Sequence, residues 1–99
     1  MTISIHVSKS RLMKVISIIE KELERIKIKQ KEVKRQLHYY EEKYQTPTSE
    51  LLKALKGEKE WTLPEDADMD VIEWEALAKL YNKLVEEEKE LKEILKELS

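Results

Sequence analysis

The sequence predicts an all-α protein: an antiparallel helical hairpin of coiled-coil type, with a short middle helix and a short N-terminal extended segment. Three observations predict it. Apolar residues recur at alternating spacings of three and four along two long stretches. Charged residues make up 40% of the 99-residue chain, a composition typical of long solvated helices. The strongest helix breakers, Pro47, Gly57 and Pro64, all lie between the two stretches. One domain is expected over 1–99, divided into an extended segment (1–8), a long helix (9–45), a short helix (46–57), a loop (58–68) and a second long helix (69–98).

In the first segment Ile3, Ile5 and Val7 alternate with Thr2, Ser4 and His6, a period of two. A lone strand cannot satisfy its own backbone, so this one either pairs with another chain or frays. From Lys9 the period changes. Leu12, Ile16, Ile19, Leu23, Ile26, Gln30, Val33, Leu37, Tyr40 and Tyr44 follow a heptad seam. The stretch "IKIKQKEV" (26–33) alternates like a strand, yet only Ile26 and Val33 of its apolar residues are on this seam, so the longer pattern makes it helical. Ser8 or Ser10 suits the N-cap.

In "TPTSELLKALKG" (46–57), Thr46 suits a cap, Pro47 a first helical position and Gly57 a stop. "EKEWTLPEDAD" (58–68) has the composition of a loop, and Asp68 or Asp70 suits the cap of the last helix. There the heptad returns through Trp74, Leu77, Tyr81, Leu84, Glu88, Leu91, Leu95 and Leu98. If the chain doubles back so that Tyr44 lies near Trp74, facing residues have numbers adding to about 118, with roughly three residues of slip. The seams' polar members, Gln30 and Glu88, then form a register pair. The competing reading leaves both facing solvent. Lys27 and Lys29 would offset Glu86 and Glu87.

The apolar face is widest around Leu12, Met13, Val15, Ile16, Ile18 and Ile19, more than one neighbouring helix can cover. This predicts self-association through these residues, as a dimeric four-helix bundle, unless the surface is kept for a different protein.

Charge is split along the chain. Residues 1–49 hold 11 Lys and Arg against 6 acids, and residues 50–99 hold 8 against 15. Nucleic-acid contact through Thr2, Ser4, His6, Lys9, Arg11 and Lys14 is therefore one reading, as in a ribbon–helix–helix arrangement. An unbroken first helix argues against it. With no Cys, disulfides, Cys zinc sites and thiol catalysis are excluded, and a single Gly leaves no glycine-rich phosphate loop. His38, Glu41 and Glu42 are ligand-type side chains at helical spacing, but no second set matches them. No metal, cofactor or enzymatic activity is expected. With no apolar run of ~18 residues and no signal-peptide core, the chain reads as cytoplasmic. The Lys and Glu abundance suits a heat-adapted source as well as an ordinary solvated helix.

The stretches "YEEKYQTPTSELLKALKGEKEW" and "DMDVIEWEALAKLYNKL" resemble small helical antitoxin-like proteins of archaea and bacteria. The elements that carry the resemblance are Tyr40–Tyr44, Leu51–Leu55, Gly57–Glu58, Asp70 and Glu73–Trp74. Two departures stand out: Gln45 where Gly is common in the family, and the insertion-like "KEWTLPEDA" (59–67). The resemblance implies a protein-binding function and identifies no specific toxin; the expected mechanism is steric and electrostatic occlusion of a basic or nucleic-acid-processing toxin, with a DNA-binding regulator or a purely structural coiled-coil protein as the alternatives. Its expected anchors are Leu51, Leu52, Leu55, Trp61 and Trp74, with Asp66, Asp68, Asp70 and Glu73 as charge complement.

Overall fold

A computed structural model describes residues 8–60 and 64–99, residue 65 by its backbone alone. Helix α1 spans Lys9–Tyr44, α2 spans Thr48–Leu55 and α3 spans Asp68–Leu98, with a 3₁₀ turn at Glu65–Ala67 leading into α3. The two long helices pack along each other as a hairpin, and α2 lies against α3 near the closed end. The extended segment expected over residues 1–7, and with it Thr2, Ser4 and His6, lies outside the described residues, as does Trp61.

Local chemistry explains each helix end. Ser8, in extended conformation, accepts a hydrogen bond from the Arg11 amide at 3.3 Å and so caps α1. At the other end Gln45 takes a left-handed conformation, φ 50°. The Gln45 amide donates to Glu42 O and the Thr46 amide to Glu41 O at 3.0 Å. Together these form a Schellman closure built without glycine. The same closure ends α2 on Gly57, φ 78°, whose amide donates to Ala54 O while Glu58 donates to Lys53 O. Helix α2 starts differently from the expected Thr46 cap. Pro47 occupies the N-cap, and its ring offers no hydrogen-bond acceptor to the first amides. The Thr48 amide is satisfied instead by the Glu41 carboxylate of α1, at 2.8 Å. The Thr46 hydroxyl turns back to donate to Tyr44 O. Asp68 and Asp70 lie in the first turn of α3, and neither caps it: Ala67 is the N-cap, preceded by the 3₁₀ turn.

The core is a single line of side chains. Ile26, Val33, Leu37 and Tyr40 of α1 pack with Trp74, Ala78 and Leu84 of α3 and with Leu51 of α2. Seam positions supply all of α1's share, as the heptad requires. Ala78 is off the α3 seam, on a flank where Leu52 of α2 borders the same groove. The hairpin is a thin ribbon of 61 × 30 × 17 Å with a radius of gyration of 19.6 Å. A compact 100-residue chain would measure about 13 Å.

Tyr44 meets Trp74 as expected, and the remaining contacts settle about half a turn to one turn from the facing pairs, close to the expected slip. The Trp74 ring inserts between Tyr40 and Tyr44, with ring centroids 5.9 and 5.8 Å away. The seams therefore interleave rather than face residue to residue. Gln30 donates to Leu84 O at 3.4 Å. Glu88 pairs with Lys92 at 3.7 Å on its own helix. The expected Gln30–Glu88 pair is replaced by a bond to the main chain: Gln30 to Leu84, Tyr40 to Trp74 and Tyr44 to Asp70 have residue numbers adding to 114, while Tyr44 to Trp74 adds to the expected 118.

Candidate functional site

Tyr40, Tyr44, Leu51, Asp70 and Trp74 converge at the closed end of the hairpin. Helical spacing puts Tyr40 and Tyr44 on one face of α1, and their rings stack nearly parallel to the two sides of Trp74, at 18° and 16°. The Trp74 indole N–H donates to the Thr48 hydroxyl at 3.0 Å, tying the start of α2 to the stack. Trp74 and Leu51 are both 0% exposed. Neither can anchor a partner on the folded surface, so both of those expected anchors are core residues.

Asp70 is also committed within the chain. Its carboxylate accepts from the Lys43 ammonium at 2.7 Å and from the Tyr44 phenol. Lys43 first, and then Tyr44, hold the Asp70 carboxyl below the usual aspartate range. The same bond raises the Lys43 and Tyr44 values. Tyr40 is pushed well above an ordinary phenol, chiefly by burial and then by the Glu73 carboxylate. On α1, Glu41 bridges His38, 3.0 Å away, and the α2 amide it caps. These groups tie the chain reversal together. Among the described residues no group of three or more His, Cys, Asp and Glu side chains is placed to hold a metal ion.

Other expected site residues remain accessible. Leu55, Asp66, Asp68 and Glu73 are exposed and Leu52 is half-buried. In the nucleic-acid set, Lys9, Arg11 and Lys14 are exposed on the first turns of α1. The basic stretch of α1 is partly neutralised within its own helix, by Arg25–Glu22 at 2.6 Å and Lys29–Glu32 at 3.6 Å. Arg25 also feels Glu87 across the hairpin, while among the described residues Lys27 enters no ion pair. In the self-association set, Met13, Val15 and Ile18 are exposed and Leu12 and Ile16 half-buried, but Ile19 is buried in the hairpin seam. Its surface is therefore not available to a second copy.

Sequence reasoning missed Met69 and Ile72, which are 75% and 64% exposed on the first turns of α3. Their signal was present. They lie three residues apart, off the seam, as a second apolar flank would. No helix among the described residues is long and apolar enough to cross a membrane. No protein-family model, no curated protein and no solved structure matches this chain.

Proposed function

We propose that this chain is a non-catalytic protein-interaction module: a helical hairpin that pairs with a second copy into a four-helix bundle and, antitoxin-like, neutralises a protein partner by occluding it. One observation carries this reading. The ribbon has a core only one helix pair wide, yet large apolar side chains remain largely exposed at both ends, Met13 and Ile18 at one and Met69 and Ile72 at the other. Apolar surface left at opposite ends of a thin body is characteristic of a protein completed by association.

The motif residues Tyr40, Tyr44 and Trp74 close the hairpin and Gly57 ends α2, so their role is in the fold. Partner contact is assigned to the accessible members of the expected set, Leu52 and Leu55 with Asp66, Asp68 and Glu73 around them. Capture from a lysate by the wild-type chain and by a Leu52→Asp/Leu55→Asp variant, matched for helicity by circular dichroism, tests this. The expected result is a protein partner held by the wild type and released by the variant. Retention of no protein, together with salt-dependent and sequence-selective DNA binding, would overturn the reading in favour of a DNA-binding regulator.

A further inference from the structure

One flank of α3 carries a chemical palindrome. Ile72, Ala76, Leu80, Lys83, Glu87, Leu91, Ile94 and Leu98 recur at spacings of three and four, so they form one stripe along the helix. Leu80, Lys83 and Glu87 border a groove with Arg25 and Lys29 of α1. This is the flank away from α2, which sits beside Ala78 and Asn82. The stripe presents its outer edge to solvent: Ile72 and Ile94 are 64% and 44% exposed and Ala76 and Lys83 are exposed, while Glu87 and Leu98 are half-buried and Leu80 and Leu91, also half-buried, pack with their inner sides on the hairpin core. Among the described residues neither Lys83 nor Glu87 enters an ion pair, although Glu87 lies within the field of Arg25.

Read from either end, the stripe gives three apolar positions, then a charge, with the central cation and anion one turn apart. An antiparallel second copy of the same stripe meets it in register. Ile72 faces Leu98 of the second copy, Ala76 faces Ile94, Leu80 faces Leu91, and Lys83 faces Glu87, each pair occurring twice about a two-fold axis near residue 85. The residue numbers of these pairs add to 170 or 171. A small side chain opposes a large one at Ala76–Ile94, and the two central ion pairs are reciprocal, as an isologous interface requires.

We infer that a second copy of this chain docks on this flank, α3 against α3 and antiparallel, with the closed end of one hairpin beside the open end of the other. This deepens the self-association proposed above and rests on it. The stripe from residue 72 to residue 98 is ~39 Å long on a helix ~10 Å wide, about 400 Å² in projection for each copy. The adjoining flank of α1, with Val15 and Ile18 exposed, extends the strip toward the ~800 Å² per partner of a stable dimer. The alternative of open end upon open end would leave Met69 and Ile72 uncovered. The central charges also fix direction and register, because a parallel pairing of α3 would bring Lys83 against Lys83 and Glu87 against Glu87.

The chain contains no cysteine, so introduced thiols report the geometry directly. The full chain carrying Ala76→Cys and Ile94→Cys is expected to form a disulfide-linked dimer on mild oxidation, and either single variant is not. Within one chain the two positions are ~27 Å apart along α3 and cannot join. In the cysteine-free chain, Lys83→Glu is expected to weaken the dimer about tenfold or more, and Lys83→Glu/Glu87→Lys to restore it. Light scattering on a sizing column reads the oligomer, and circular dichroism confirms that each variant folds. A dimer in which Ile94→Cys alone crosslinks, or in which the double charge reversal fails to restore pairing, overturns this docking while leaving self-association intact. A wild-type chain that remains monomeric at every concentration overturns both.

Discussion

Replacing Trp74 with alanine is the most direct test of the closed-end lock. The ring is fully buried between two tyrosines and bonded to Thr48, so its removal opens a cavity where all three helices meet. Burying a tryptophan side chain of ~200 Å² contributes about 5 kcal/mol at ~25 cal/mol per Å². Measured Trp-to-Ala costs of about 3–5 kcal/mol are of the same size. A 99-residue domain has a total stability of about 5–15 kcal/mol. The variant should therefore lose about a fifth or more of its stability, and a marginal parent would unfold at room temperature. Urea unfolding followed by far-ultraviolet circular dichroism gives the difference. Trp74→Phe keeps one aromatic ring and separates stacking from hydrogen bonding. In a double-mutant cycle with Thr48→Val, the indole–hydroxyl bond should appear as a coupling of about 1 kcal/mol. A Trp74→Ala loss below ~1.5 kcal/mol would falsify the lock, because a ring with that little effect is not buried in the stack.

Asp70→Asn should destabilise the hairpin at neutral pH and have progressively less effect in acid. The folded-state value of Asp70 is depressed by Lys43 and Tyr44, so its contribution is present above the unfolded value, near 3.8, and is lost as pH falls through the folded one. Thermal melts of both proteins at several pH values should converge at the acid end, and a constant gap would refute the assignment. Gln45→Gly should raise the melting temperature. It relieves a left-handed conformation that costs about 1–2 kcal/mol for a residue with a Cβ. It forfeits the bond from the Gln45 side chain to Glu42 O, leaving a net gain of about 0.5–1 kcal/mol. That corresponds to a rise of ~2–8 °C. A fall in melting temperature would show that the side-chain bond outweighs the backbone strain.

Much of the architecture was legible because it depends on interactions between residues close in sequence. The heptad from Leu12 to Tyr44 identifies one unbroken helix regardless of what packs on it, and the buried members Ile19, Leu23, Ile26, Val33, Leu37 and Tyr40 all lie on the seam it predicts. Ser8 and Gly57 act at the helix ends where short-range capping chemistry places them. Thr46 misled because the Glu41 carboxylate, brought near by the turn at Gln45, reached the α2 amide instead. The expected site was less legible than the fold. A tryptophan, leucine or aspartate looks the same in sequence whether it meets a partner or its own chain. Trp74, Leu51 and Asp70 all meet their own chain.

The sequence by itself determined two long amphipathic helices, the reversal between them and the faces they turn inward, because heptad spacing and capping act over one or two turns of chain. Only the tertiary structure decided where within the expected slip the helices settle, the burial of Leu51 on the inner face of α2 and of Ala78 beside that helix, and which charges remain available. Those outcomes depend on a large ring settling between two others across the hairpin. That choice is made by volume and shape between residues about thirty positions apart, and no local pattern encodes it.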